Sequence, residues 1–174
     1  MKSLVDHLSQ YAAYHRDPRN IATHFIGIPL IFVAVAVLLS RPGWPVGAVL
    51  VSPALLIAVA SAWFYLRLEL RLGVLMTVLL ALALWLGQVL AVQSTLVWLG
   101  SGLGMFVVGW VIQFVGHYYE GRKPAFVDDL TGLIVGPLFV VVEAGFLLGL
   151  RSELKRAIEE RAGPGALRHQ RSAV

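Results

Sequence analysis

The stretch Gly73–Val92, GVLMTVLLALALWLGQVLAV, contains no charged residue. About 20 apolar residues in a helix cross a hydrocarbon core of ~30 Å, and a segment apolar on every face needs lipid or a large core around it. A chain of 174 residues, 58% hydrophobic and 14% charged, with a mean hydropathy of +0.78, is too small and too apolar to supply that core itself. Four more stretches of the same kind follow the pattern: Ile21–Ser40, Val46–Tyr65, Thr95–Val115 and Leu130–Leu150. The joints are short and polar, at Arg41–Pro45, Arg67–Arg71 and Gln93–Ser94, as in tight helical hairpins. The fold class expected is an all-α polytopic membrane bundle with residues 1–150 embedded, followed by a charged tail at 151–174. That tail is expected to be helical from Arg151 and disordered beyond Gly163–Pro164–Gly165.

Lys and Arg orient the bundle. With a cytoplasmic N-terminus, Lys2, Arg16, Arg19, Arg67, Arg71, Arg122 and Lys123 lie inside, and Arg41 lies outside. The basic tail would be exported if the fifth stretch crossed fully. That stretch also carries Glu143 and the helix-weakening Gly132, Gly136, Pro137, Gly145 and Gly149. Four full spans plus a fifth, re-entrant or bundle-packed segment is therefore the expectation, with five full spans as the alternative. The polar stretch Met1–Asn20 gives no signal-peptide pattern. The net charge of +4 is spread between apolar segments, which fits membrane topology and anionic headgroups rather than nucleic acid. Without cysteine there is no disulfide, thiolate metal site or cysteine nucleophile, so a metal would be held by nitrogen and oxygen.

Two polar clusters interrupt the apolar frame. The first, YAAYHRDPRNIATHFIGIP at 11–29, holds Tyr11, Tyr14, His15, Asp17, Asn20 and His24. In one unbroken helix His15 and His24 would face opposite ways. Pro18 favours a new helix capped by Asp17, and the break lets His15 turn towards His24, with Asn20 and His24 sharing a face. The second cluster, QFVGHYYEGRKPAF at 113–126, places Gln113, His117 and Glu120 on one face continuing the fourth span, with Arg122 and Lys123 behind. Under the charge-derived topology both clusters lie at the cytoplasmic face. Imidazole and carboxylate without sulfur suit iron(II), manganese or zinc, and open positions suit iron-dependent oxygen chemistry. Glu143 is costly in lipid and is expected to face a partner inside the bundle, an arginine such as Arg67 or Arg71 being one. Asp128 and Asp129 read as the cap of the next helix.

Two ordered motifs carry a resemblance. Tyr-x3-His-x4-Asn-x3-His-x2-Gly-x-Pro is filled by Tyr11, His15, Asn20, His24, Gly27 and Pro29. Gln-x2-Gly-His-x2-Glu-x3-Pro-Ala is filled by Gln113, Gly116, His117, Glu120, Pro124 and Ala125. With the hydropathy frame, the chain resembles the membrane family of the fungal 2-hydroxy fatty acid dioxygenase and its bacterial relatives. The resemblance implies an Fe(II)-dependent dioxygenase of fatty acid α-oxidation, which uses dioxygen to shorten a 2-hydroxy fatty acid by one carbon. It implies His15, His24 and His117 as metal ligands and Glu120 as the acidic position, itself a ligand or a hydrogen-bonded support of the ligands, with Pro137 and Glu143 in the last block. Tyr14, Asn20, Gln113, Arg122, Lys123 and Glu143 are the candidates for holding the substrate or supporting the ligands. A transporter and a metal-free lipid-binding or structural membrane protein are the competing readings. The location expected is the bacterial inner membrane, or the endoplasmic reticulum in a eukaryote, with the site on the cytoplasmic side.

Overall fold

The structure, a computed structural model, describes residues 2–47 and 49–163. Seven helices follow in order among them: α1 (Leu4–Ala12), α2 (Pro18–Leu38), α3 (Pro53–Leu68), α4 (Leu70–Ala91), α5 (Thr95–Glu120), α6 (Thr131–Leu147) and α7 (Ser152–Ala162). Two short strands, β1 (Trp44–Val46) and β2 (Val49–Val51), pair antiparallel between α2 and α3, with Trp44 opposite Val51. The chain forms two compact units. One draws on the chain up to Ile28 and from Val111 onward, and the other is Pro29–Trp110.

Three helices, α2, α4 and α5, are long and apolar enough to cross a membrane, and a fourth crossing exists if α6 and α7 count as one bent span. One expected full span changes as a result, while the fifth stretch keeps the expected possibility of a re-entrant segment. The stretch Val46–Tyr65 is not one helix: Pro45, Gly47 and the β-branched Val46, Val49 and Val51 favour a hairpin. Helix starts only at Pro53, with Ser52 Oγ accepting the Leu55 N–H at 3.3 Å. The resulting α3 has 16 residues, about 24 Å at 1.5 Å each, short of the hydrocarbon thickness. The fifth stretch is α6, which turns by 119° into α7. The turn passes through Gly149 and Arg151, both at positive φ.

Within Pro29–Trp110 the helices approach closely through small residues. A Cβ on Gly73 would stand 2.6 Å from the Leu66 backbone, and one on Gly87 would stand 2.5 Å from Ser40 Oγ. The joint between α3 and α4 shrinks to Glu69, whose carboxylate caps α4 by accepting the Arg71 and Leu72 N–H groups. Arg41 closes the other joint, donating to the Ala91 and Gln93 carbonyls at 2.6 Å each and lying over the Trp98 ring. Val78, Leu82 and Trp85 on α4 are more than half exposed. A soluble monomer rarely shows so wide an apolar surface, whereas lipid covers it.

In the other unit, α2 starts at Pro18 as the sequence predicts, with Asp17 Oδ1 accepting the Arg19 N–H at 2.9 Å. Helix α5 continues past the apolar run to Glu120 and stops at Gly121, a left-handed residue whose N–H bonds the His117 carbonyl. Helix α1 is held by a Ser3–Asp6 capping box and packs on α6 and α7. The expected charged helix after Arg151 is α7; its Ile158 is buried and its Arg161 pairs with Asp6. The expectation of disorder beyond Gly163 falls on residues outside those described.

Candidate metal centre

The break between α1 and α2 brings His15 from the end of one helix against His24 on the next, while α5 delivers His117. Ring centroids are 4.4 Å apart for His15 and His24, 5.0 Å for His15 and His117, and 5.2 Å for His24 and His117. One ligand atom from each of the three lies within 4.8 Å of the other two. All three residues are buried.

The backbone sets the orientation of two rings. His15 Nδ1 lies 2.7 Å from the Tyr11 carbonyl, and His24 Nδ1 lies 2.8 Å from the Asn20 carbonyl. A carbonyl can only accept, so each Nδ1 carries the proton and each Nε2 keeps its lone pair. Burial, then the neighbouring His24, hold His15 well below the ordinary histidine range and keep it neutral. His15 Nε2 and His117 Nδ1 are buried with no hydrogen-bond partner. Unpaired buried polar atoms are costly, and converging imidazole lone pairs are what a metal ion takes up, so the donor set fits one. Three histidines leave positions free for other ligands.

Gly116 is required next to His117. A Cβ there would meet Thr23 Oγ1 at 2.0 Å and Asn20 Oδ1 at 2.5 Å, so only glycine lets α5 approach α2 at this level. Aromatic rings back the cluster: Tyr11 stacks on His15 at 4.1 Å and 7°, and Phe139 of α6 lies 5.7 Å from His15 and 4.9 Å from Tyr11. Phe139 had no signal in the sequence, because one aromatic inside an apolar run looks like any other.

The remaining candidates separate. Glu120 is not part of the three-histidine group; its Oε2 accepts from the Arg16 and Asp17 N–H groups and from Asn20 Nδ2. Asn20 supports His24 through its backbone carbonyl, while its side-chain Oδ1 and Gln113 Nε2 are buried without a partner. Tyr14 donates to Asp128 at 2.9 Å, and that bond raises its pKa. Lys123 pairs with Asp128 at 2.6 Å, and Arg122 donates to the Ala13 carbonyl at 2.8 Å, so both tie the α5–α6 connection down. Arg19 forks onto Asp17 and lies over the Tyr119 ring. Of the expected caps, Asp129 accepts the Thr131 N–H beside α6, whereas Asp128 serves Lys123 and Tyr14. Within its own unit, the charged groups acting on Glu143 are Lys155, Glu159 and Arg16.

Apolar helices long enough for a bilayer, together with a buried sulfur-free histidine cluster able to hold a metal ion, fit an α-helical membrane protein with a candidate metal centre. The pattern of the family described as 2-hydroxy-palmitic acid dioxygenase Mpo1-like matches residues 1–147, and the chain belongs to that family. It is 34% identical over 163 residues to the 2-hydroxy-palmitic acid dioxygenase MPO1 of Saccharomyces cerevisiae, covering 91% of this chain and 90% of the yeast protein. No solved structure matches the chain.

Proposed function

We propose that this chain is an iron(II)-dependent dioxygenase that shortens 2-hydroxy fatty acids by one carbon, with His15, His24 and His117 as the metal ligands. The carrying observation is that both motif blocks read in the sequence, which lie within the family match, converge through these histidines on one buried point. The yeast relative's name supplies the substrate class. The overall change balances: R–CH(OH)–COOH and O2 give R–COOH, CO2 and water, so no separate reductant is required.

Iron(II) would supply the site for oxygen and for the hydroxy acid headgroup. The chain's own residues do the rest. The Tyr11 and Asn20 carbonyls hold two imidazoles in the tautomer that ligates. Tyr11 and Phe139 keep water from the His15 side. Three neutral imidazoles bring no negative charge, so a carboxylate headgroup meets no repulsion from them. Gln113 Nε2 and Asn20 Oδ1, buried and unpaired, are the donor and acceptor available to a polar headgroup. A carrier would need polar groups along its helices, yet the buried polar residues described in Pro29–Trp110 are only Ser40, Ser52 and Ser61. The site is proposed to face the cytoplasm, where Val127→Cys should react with an impermeant thiol reagent.

Iron-loaded protein incubated with 2-hydroxypalmitate in air should yield the fifteen-carbon acid by mass spectrometry, and none under argon. Absence of that acid in air, or equal yield under argon, overturns the dioxygenase reading. Palmitate itself should react poorly, since it lacks the hydroxyl next to the carboxylate.

A further inference from the structure

The segment joining α1 to α2 must break a helix and still present two imidazoles to one point. At that break the backbone N–H groups of Arg16 and Asp17 turn to a side-chain acceptor, and Pro18 has no N–H at all. Both are taken by one atom: Glu120 Oε2 accepts Arg16 N–H at 2.9 Å and Asp17 N–H at 2.7 Å. The same oxygen accepts Asn20 Nδ2 at 3.2 Å. Arg16 directly follows His15, Asn20 carries the carbonyl that orients His24, and Glu120 is one turn beyond His117 on α5. All three histidine-bearing segments are therefore referred to one carboxylate.

We propose that Glu120 is a positioning residue and not a metal ligand: it fixes the 15–20 segment onto the end of α5 so that the three imidazoles can share one ion. This rests on the metal reading above. Glu120 is not among the residues whose ligand atoms converge, and its Oε2 already accepts three hydrogen bonds that ligation through that atom would disturb. The negative charge is also favourably placed, since it lies at the N-terminus of α2, where the helix dipole is positive. A glutamine can still accept through its carbonyl oxygen, but without charge assistance the bonds weaken. An alanine removes the acceptor altogether.

The test compares wild type, Glu120→Gln and Glu120→Ala in nanodiscs, with cobalt(II) as the probe followed by visible absorption. Amide hydrogen exchange over residues 13–20, read on the metal-free proteins, is the second readout. Cobalt affinity is expected to fall about 10- to 100-fold in Glu120→Ala and by less in Glu120→Gln. The spectrum at saturation is expected to stay that of the wild type, and exchange over 13–20 to accelerate. A changed saturated spectrum in Glu120→Gln, which marks loss of an oxygen ligand, overturns the proposal. So does wild-type affinity or wild-type exchange in Glu120→Ala. Should Glu120→Ala not fold, Glu120→Gln carries the same comparison, with unchanged affinity and exchange as the overturning result. If wild-type protein takes up no cobalt, the metal reading fails, and the exchange readout alone then decides whether Glu120 holds the segment.

Discussion

The two units of the chain bury polar groups in different ways. In Pro29–Trp110 the buried polar residues described are Ser40, Ser52 and Ser61. Ser40 donates to the Ala36 carbonyl of its own helix at 2.7 Å, and Ser52 caps its own helix, so neither needs a partner from elsewhere. The other unit buries Ser9, His15, Asp17, Asn20, His24, Gln113 and His117. Asn20 of α2 reaches across to Glu120 of α5, and Ser9 Oγ, His15 Nε2, Asn20 Oδ1, Gln113 Nε2 and His117 Nδ1 have no hydrogen-bond partner. Each such atom costs about 1–3 kcal/mol. A region that only had to pack would not accumulate that cost, so the contrast separates a scaffold from a site.

The largest effect that would sharpen this contrast is at the histidines. Alanine at His15, His24 or His117 should lower both iron content and turnover by at least about 100-fold, more than loss of a supporting group costs. Trp85→Ala, on the exposed face of α4, should leave iron content unchanged. Metal analysis of untagged protein checks both, and full iron retention in all three histidine variants would break the comparison.

A pair of glycines tests packing. Gly116→Ala must push Thr23 and Asn20 apart, an overpacking cost of about 1–3 kcal/mol, and should lower iron content as well. Gly104→Ala, where nothing lies within 4 Å, should stabilise the helix by roughly 0.5–1 kcal/mol. Thermal unfolding in one detergent ranks the two, and equal melting temperatures would remove the distinction.

Trp98→Phe deletes the indole bond to the Val37 carbonyl, 2.8 Å long, and should cost about 0.5–1.5 kcal/mol in the same assay. Turnover per iron should not move, because the bond belongs to the unit without histidines. The smallest effect is at Asp6. The Ser3 N–H, the Ser3 hydroxyl and Arg161 hold its pKa at about 2, below its unfolded value of 3.8. Folding therefore favours the ionised form: this contribution is complete above about pH 4 and is lost as pH falls from 3.8 towards 2. Helicity measured between pH 5 and 2 should fall less steeply in Asp6→Asn than in wild type.

Much of the molecule was legible in the residues themselves. Gly73–Val92 had to be a lipid-facing helix, because no small core accommodates it, and it forms the greater part of α4. Pro18 after Asp17 had to start a helix, because proline lacks the N–H that a first turn does not use. The histidines were legible as candidates because an ionisable group bordering an apolar span is costly without a use. The second apolar stretch was misread for a reason also in the sequence. Hydropathy counts Val46, Val49 and Val51 as span residues, while their β-branching and the prolines around them favour strand.

By itself, the sequence determined that the chain is helical and made for lipid, that any metal would be held without sulfur, and which three imidazoles to consider. Periodicity and composition are local properties, so they survive without coordinates. Only the tertiary structure decided that the Tyr11 and Asn20 carbonyls turn two rings, that Phe139 and Tyr11 back the cluster, and that the Glu120 carboxylate spans to residues 16, 17 and 20. The Glu120 contacts join residues about a hundred positions apart in the chain. No local pattern encodes which lone pair of a carboxylate meets which amide, because that depends on how closely α2 and α5 approach at Gly116.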